Sequence, residues 1–182
     1  MLQEGYAAVA TRRVAKEVEL TPALVHYYFP TTEDLLIAVY RRAVEQALER
    51  LKSAFASEQP LRATWKFSVD PTWTTLAMEF MAMANHRKAI RAEIASSGEY
   101  FRQLQAEALS QLQFDGEHEL WNPLAITILL AGISRLSVAE GALGIALGHR
   151  EGHELAEYLI QRLEAPQPPT RKSRSRKASR KR

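Results

Sequence analysis

The segment from residue 11 to residue 32 concentrates side chains that suit contact with a nucleic acid. Arg12 carries a guanidinium, which can donate two hydrogen bonds to the O6 and N7 acceptors of guanine. Apolar contacts for thymine methyl groups are offered by Pro22, Ala23 and Leu24. Hydroxyl groups that can donate to phosphates stand at Thr21, Tyr27, Tyr28 and Thr32. The alternative is that Arg12 is a solvated charge and the aromatic residues belong to a core.

Two short helices joined by a tight break must position these side chains. The apolar spacing predicts a first helix over residues 11–18, with a break near Glu19. Thr21 suits an N-cap and Pro22 suits the first helical position, while Pro30 limits the length of this second helix. Thr31 then caps a third helix, with Asp34 in the place of a capping-box acid. This is the outline of a helix-turn-helix, whose second helix enters the DNA major groove.

The run TRRVAKEVELTPALVHYYFPTTEDLL resembles the DNA-binding domain of the TetR family of bacterial transcription factors. The matching features are Gly5-Tyr6, Thr11-Arg12-x-Val14-Ala15, Leu20-Thr21, the aromatic cluster closing on Phe29, and the Thr-Thr-Glu-x-Leu-Leu start of the next helix. The resemblance implies a ligand-responsive transcriptional regulator, either a repressor or an activator, that binds a palindromic operator as a homodimer, and of the two we expect a repressor. A small ligand in the helical body would then shift the spacing of the two DNA-reading heads.

The resemblance also implies positions for individual residues. Thr11 and Arg12 fall where the first motif helix approaches DNA, and His26 and Thr32 fall where a phosphate-contacting Tyr and Lys usually stand. Val25 and Phe29 fall on core positions, whereas the residue pattern leaves Tyr28 undecided between core and surface. The complete set of expected DNA-contacting residues is Thr11, Arg12, Thr21, Pro22, Ala23, Leu24, His26, Tyr27, Tyr28 and Thr32.

Two features depart from the family pattern. Only the residues MLQE precede Gly5-Tyr6, where the family has a helix of several turns, so the first helix of the head is either truncated or encoded upstream. Residues 1–36 also carry three basic against five acidic groups, which is unfavourable for nonspecific affinity to phosphates. These departures leave open an alternative function, a truncated or degenerate helical dimer that acts through protein contacts without specific DNA binding.

Composition predicts an all-α protein of 182 residues without cysteine, and therefore without disulfides or thiolate metal sites. The last twelve residues carry eight of the 24 Lys and Arg, which leaves 16 basic against 21 acidic residues before them. We expect three parts: a helix-turn-helix head over residues 1–36, a ligand-binding and dimerisation body over residues 37–165, and a disordered basic tail over residues 166–182. The tail is expected to bind DNA phosphates, to bind RNA or acidic partners, or to remain solvated.

The helical body contains two further candidate surfaces. Aromatic and methionine residues at helical spacing predict a pocket for an apolar or aromatic ligand, with the lining residues Trp73, Phe80, Met81, Phe101 and Trp121. A helix over residues 123–143 is apolar on too many sides for a surface helix, and pairs with a stripe on a last helix over residues 151–163. The expected dimer-interface residues are Leu129, Ile133, Leu136, Leu155, Tyr158 and Leu159.

The sequence contains no nucleophile–base set, so we expect neither an enzyme nor a cofactor. His149 and His153 stand around Arg150, Glu151 and Gly152, which does not match the zinc-protease patterns, and we expect a surface loop there rather than a metal site. The apolar helix contains Arg135 and Glu140, which favours a buried helix over a membrane span. The expected location is the cytoplasm, in association with the nucleoid when the protein is bound to double-stranded DNA.

Overall fold

The computed structural model describes Met1, residues 4–110 and residues 122–164. Within these residues the chain is all-α and contains no strand. A 3-10 turn at Tyr6–Ala8 precedes eight helices. They are α1 (Thr11–Glu17), α2 (Pro22–Tyr28), α3 (Thr32–Phe55), α4 (Pro60–Ser68), α5 (Pro71–Ala84), α6 (Lys88–Ser110), α7 (Pro123–Ala142) and α8 (His149–Glu164).

Local cap chemistry explains where several helices begin. Thr31 and Asp34 form a reciprocal capping box, in which the Thr31 amide donates to the Asp34 carboxylate at 2.9 Å and the Asp34 amide donates to the Thr31 hydroxyl at 3.1 Å. Three other helices begin with a polar cap followed by proline, at Thr21-Pro22, Asp70-Pro71 and Asn122-Pro123. Each cap oxygen accepts a backbone N–H that would otherwise lack a partner in the first turn.

The last helix differs from the sequence-based expectation. It begins at His149 rather than at residue 151, so the expected surface loop around His149 and His153 forms the first turns of α8 instead. Gly148, with φ of 89°, ends the preceding loop and lets α8 begin at His149. The turn residues Phe114-Asp115-Gly116, which predict the end of α6, lie outside the described residues.

Two apolar clusters hold the body together. One lies beside the head and joins α3, α5 and α6 through Leu36, Tyr40, Phe80, Met83, Ala84 and Ile90, with Tyr6 and Val9 of the amino-terminal segment packed against it. The other joins α4, α6, α7 and α8 through Leu61, Trp65, Leu109, Ile126, Leu130, Ala156 and Ile160. The first cluster matters for function because it places the amino-terminal segment directly against α5.

Helix α7 is unusual in its exposure. It is the one helix of the described residues that is long and apolar enough to cross a membrane by length and composition, with a mean hydropathy of 1.5, and 22% of its apolar window is buried in the subunit. Membrane-spanning helices and core helices both meet that criterion. Arg135 and Glu140 lie on the helix, and Ile126 and Leu130 pack in the body core. Four large apolar residues of α7, Leu124, Ile128, Leu129 and Leu136, are exposed in the single subunit.

Candidate nucleic-acid interface and body cavity

Helices α1 and α2 form a compact helix-turn-helix. Ala15 of α1 and Val25 of α2 are buried between the two helices and the rest of the head. The turn is closed by the Leu20 amide, which donates to the Ala15 carbonyl at 2.9 Å. Glu19, within this turn, has a φ of 54°, and within the described residues it is the sole residue other than glycine with a left-handed backbone. The turn therefore fixes α2 relative to α1 at the expense of some backbone strain.

The outer face of α2 is open to solvent. Pro22, Ala23 and Leu24 are exposed at its start, and the Tyr27 side chain is 78% exposed. Tyr28 is also exposed and lies edge-on against Tyr27, with ring centroids 5.2 Å apart. The structure thus places Tyr28 on the surface, the position that the sequence pattern left undecided. Phe29, expected in the core, is half-buried.

Thr11 and His26 occupy positions that differ from the solvent-facing arrangement expected for DNA contact. Thr11 is only 6% exposed, and its hydroxyl lies 3.4 Å from Nε2 of His26. The other ring nitrogen of His26 lies 3.3 Å from the Pro30 carbonyl. The ring is therefore held between the start of α1 and the end of α2, although its edge remains exposed. Because Thr11 is buried, its hydroxyl has no direct access to a DNA phosphate, and we assign it the role of bracing the His26 ring. The sequence alone did not reveal this burial.

Arg12 and Arg13 are adjacent but differ in their partners. The Arg13 guanidinium donates to the Glu4 carboxylate at 2.8 Å. Arg12 is exposed, and no ion pair or hydrogen bond of its side chain occurs within the described part of the chain. Arg12 is consequently the guanidinium of α1 that is available to an outside molecule. Thr32, half-buried in the first turn of α3, and Thr21, whose hydroxyl accepts from the Leu24 amide at 3.3 Å, complete the expected set.

Three of the five acidic groups of the head are engaged by protein partners. Glu4 pairs with Arg13, and Asp34 belongs to the capping box of α3. Glu33 lies 3.9 Å from a guanidinium nitrogen of Arg87 at the start of α6. These contacts partly offset the acidic excess of the segment, although they are exposed and each contributes little energy. Glu17 and Glu19 remain as the acids nearest the end of α1.

Comparison with known proteins agrees with this geometry. Residues 1–39 match the family model described as bacterial regulatory proteins of the tetR family. The whole fold is similar to a crystal structure of a protein from Rhodococcus sp. assigned as a TetR-family transcriptional regulator, with a TM-score of 0.64, 18% sequence identity, and coverage of 90% of this chain and 92% of that chain. None of the curated proteins compared with the chain matches it significantly.

The family match thus covers the helix-turn-helix head and the first residues of α3, and the solved structure shows the same overall fold. The matched family is one of bacterial regulatory proteins. Members of the family are in general non-enzymatic, and within the described residues no group of three or more His, Asp or Glu is placed to hold a metal ion. His149, on α8, instead pairs with Glu140 of α7, with Nε2 and Oε2 2.8 Å apart.

A contact that the sequence did not reveal joins the head of the protein to its body. The Tyr6 amide donates to a carboxylate oxygen of Glu79 at 2.8 Å. Gly5 precedes it with a φ of 71°, and a Cβ built at Gly5 would lie 3.5 Å from the same oxygen. The inward position of Glu79 among apolar residues of α5 is a signal in the sequence, but its partner 73 residues away is not.

The body contains a cavity of about 440 Å³ between α3, α4, α5, α6 and α7. Trp73, Met81 and Phe101 line it, as the sequence pattern predicts. Phe80 does not, because its ring is buried in the cluster beside the head, 4.9 Å from the Tyr40 ring. Trp121 lies outside the described residues.

The cavity lining also carries charge, which the pattern of aromatic and methionine residues did not predict. Arg102 of α6 and Arg135 of α7 both line the cavity, together with Glu99 of α6. Arg135 reaches solvent at the rim, yet partial burial lowers the pKa of its guanidinium, and the nearby charge of Arg102 lowers it further. A hydroxyl pair stands on the same wall, where the Tyr40 and Ser97 oxygens are 2.6 Å apart.

The residues expected at a dimer interface fall into two groups. Leu129 and Leu136 of α7 and Leu155 and Tyr158 of α8 are exposed, with Leu136 at 57%. Ile133 packs against the core cluster of its own subunit, and Leu159 is half-buried. The exposed group leaves an apolar surface on two helices that contact each other. Such a surface is typical of an interface between subunits.

Proposed function

We propose that the protein is a ligand-responsive repressor that binds a palindromic operator as a homodimer in the cytoplasm, associated with the nucleoid while bound. The observation that carries this proposal is the exposed outer face of α2 within a helix-turn-helix whose Arg12 is exposed and pairs with no other described residue. In this arrangement α2 enters the major groove and α1 braces it. A homodimer supplies two such heads, whose two-fold symmetry would require a palindromic site.

We assign different tasks to the residues on the DNA-facing surface. Arg12 reads a guanine through two hydrogen bonds, which is worth roughly 1–3 kcal/mol of discrimination. Pro22, Ala23 and Leu24 contact bases through apolar atoms, and Tyr27 and Tyr28 donate to phosphates. Thr21, His26 and Thr32 lie where they can add phosphate contacts at the ends of α2 and the start of α3. Thr11 supports the site by holding His26.

A gel-shift titration with the DNA that flanks the protein's own coding region tests this function. Arg12→Ala should weaken specific binding by about 5- to 150-fold, the equivalent of roughly 1–3 kcal/mol. Arg13→Ala is the matched control, because Arg13 is engaged by Glu4 and should cost much less. Specific binding that survives Arg12→Ala unchanged would remove Arg12 from the reading surface.

The alternative function, a helical dimer acting through protein contacts, has its own signature in the same experiment. The acidic excess of residues 1–36 is the observation that favours it. A dimer that shows no sequence-specific shift on the flanking DNA, and whose weak binding is abolished by moderate salt, would support this alternative over the repressor.

Ligand response is proposed from the cavity and its connection to the head. Trp73, Ala77 and Met81 line the cavity from α5, and Glu79 on the same helix holds the Tyr6 amide. Occupation of the cavity that moves α5 would therefore move the segment that leads into α1. A ligand must bind the two positions of α5 with different affinity for this to alter DNA binding.

A further inference from the structure

We propose that the body cavity binds an organic anion, in which a carboxylate contacts Arg102 and Arg135 and an aromatic or aliphatic body packs against Trp73 and Phe101. This inference rests on the proposed ligand response and names the chemical class of the ligand. It replaces the neutral apolar ligand that the aromatic pattern alone predicts. Four observations carry it.

The first observation is the convergence of two like charges on one cavity. Arg102 and Arg135 come from different helices, α6 and α7, and both line this cavity while remaining open to solvent. They are close enough for the charge of Arg102 to lower the pKa of Arg135. Two guanidinium charges at one cavity repel each other, and a bound negative charge relieves that repulsion. A bound carboxylate supplies that charge with two acceptor oxygens, which match the geometry of guanidinium donors.

The second observation is that no carboxylate of the described residues forms an ion pair with them. Among the described residues neither Arg102 nor Arg135 has an acidic partner within 4 Å, although ten other ion pairs are formed. Glu99 lines the cavity three residues before Arg102 but makes no ion pair with it. By contrast, Arg41 on the neighbouring α3 pairs with Glu93 of α6. The cavity thus leaves two guanidinium groups available to a ligand, whereas Arg41 nearby is already paired with a carboxylate.

The third observation is an aromatic wall, formed by Phe67, Trp73 and Phe101, that lines the same cavity. The Phe67 and Trp73 rings are stacked with centroids 5.9 Å apart, and the Trp73 and Phe101 centroids are 6.3 Å apart. Met81, Ile94 and Ile128 extend this wall with aliphatic surface. The volume of about 440 Å³ lies within the range of pockets for small organic molecules. A small inorganic anion would leave most of this apolar surface without contact.

The fourth observation is open space beside α6 at Gly98. Gly98 lines the cavity, and a Cβ built there meets no atom of the described residues within 4 Å. Its backbone does not need a left-handed conformation. A larger side chain substituted at Gly98 can therefore enter the cavity without a clash. It should exclude the ligand while leaving Arg102 and Arg135 in place.

Isothermal titration of the full chain, without DNA, tests the proposal with matched probes. The carboxylates 3-phenylpropionate and octanoate are compared with their primary amides, which keep the body and remove the charge. We expect the carboxylates to bind at least tenfold more tightly than the amides. Equal binding of acid and amide, or no binding of either carboxylate up to millimolar concentration, would overturn the proposal.

Variants then locate the binding in the cavity. Arg135→Gln and Arg102→Gln should each weaken carboxylate binding at least tenfold, whereas Arg135→Lys should weaken it less. The control Arg150→Gln removes an exposed, paired guanidinium of α8 and should have no effect. Gly98→Leu should abolish binding of both bodies. Circular dichroism and thermal melting establish that each variant is folded, and folded Gln variants that bind the carboxylates as the wild type does would refute the assigned site.

Inorganic phosphate and an operator titration separate the remaining outcomes. Phosphate that binds as tightly as the carboxylates would contradict the role of the aromatic wall. If the carboxylates bind in the cavity but leave operator affinity unchanged, the site stands and the proposed ligand response fails. If operator binding is specific but no carboxylate binds, the repressor stands and this inference fails.

Discussion

Glu79 of α5 accepts a hydrogen bond from the backbone amide of Tyr6 at 2.8 Å and so ties the segment before the helix-turn-helix to the ligand-facing helix of the body. The carboxylate is half-buried, and the peptide group it holds lies beside the apolar cluster to which Tyr6 contributes. Hydrogen bonds to a charged group in such surroundings contribute more than neutral ones. This contact is therefore the strongest polar connection that we find between the head and α5.

Replacement of Glu79 by Ala should destabilise the head. Loss of a charged acceptor that leaves the Tyr6 amide unpaired should lower the free energy of unfolding by about 1.5–3 kcal/mol. Glu79→Gln keeps an acceptor oxygen and should cost less. Urea unfolding measures the change, and amide hydrogen exchange should show faster exchange at residues 6–10 in the Ala variant.

Glu45→Ala is the matched control for the Glu79 variants. Glu45 is a carboxylate of α3 whose pair with Arg42 is exposed on both sides. Its removal should change the free energy of unfolding by well under 1 kcal/mol. Equal effects of the two Ala variants would mean that the Glu79 contact contributes no more than a surface pair.

The turn between α1 and α2 predicts a stabilising substitution. Glu19 has a φ of 54°, where a side chain with a Cβ is disfavoured by roughly 1–2 kcal/mol. Glu19→Gly removes this cost but gives the unfolded chain more freedom, so we expect a net gain of up to about 1 kcal/mol. Thermal unfolding measures it. Glu17→Gly, at the end of α1, is the control and should be destabilising by roughly 1 kcal/mol, as glycine is within a helix.

The sequence was sufficient for elements whose cause is local. The starts of α2, α5 and α7 were predictable because a cap and a proline determine each of them within two residues. The start of α8 was not, because Gly148 and Gly152 weaken the helical signal and the packing of α8 on α7 overrides them. The exposed face of α2 followed from the motif, whereas the burial of Thr11 depends on how α1 docks.

The cavity illustrates the limit of helical periodicity. Periodicity shows which residues share one face of one helix, but not which faces of different helices meet. Trp73, Met81 and Phe101 were predictable as lining residues because they are apolar on helices of the body. Arg102 and Arg135 look like ordinary surface charges in sequence, and only the packing of α6 on α7 brings them to one wall.

The apolar surface of α7 and α8 predicts a dimer that a single charge disrupts. Leu136→Glu places a carboxylate on the exposed face of α7, so each subunit should still fold. In a dimer joined through this face the carboxylate would be buried without a partner, and the dimer should therefore dissociate. Sedimentation velocity at micromolar concentration should show a wild-type dimer and a variant monomer. Val39→Glu, at an exposed apolar position of α3, should remain dimeric. A monomeric wild type would contradict the proposed homodimer.

Tyr40 predicts how stability depends on alkaline pH. Burial raises the pKa of its phenol, with the hydrogen bond to Ser97 as a smaller opposing effect. The unfolded tyrosine therefore loses its proton at lower pH than the folded one, so stability falls as the pH rises above the ordinary value of about 10. Tyr40→Phe should cost about 0.5–1.5 kcal/mol at neutral pH but should flatten this fall. Tyr100→Phe, at an exposed position, is the control, and the same alkaline slope in both variants would contradict the assignment.

The basic run at the carboxyl end predicts a change in the salt dependence of DNA binding. Residues 171–182 hold eight Lys and Arg and no acid, whereas the head has an excess of acidic groups. Each phosphate that the run neutralises should make the plot of log K for DNA binding against log salt concentration steeper, by about 0.9 in the magnitude of its negative slope. Deletion of residues 166–182 should therefore flatten the slope and weaken operator and nonoperator DNA alike, because phosphate contacts carry no sequence information. A deletion variant with an unchanged slope would show that the head and body alone supply the electrostatic attraction, while a loss confined to the operator would assign the run a part in sequence reading.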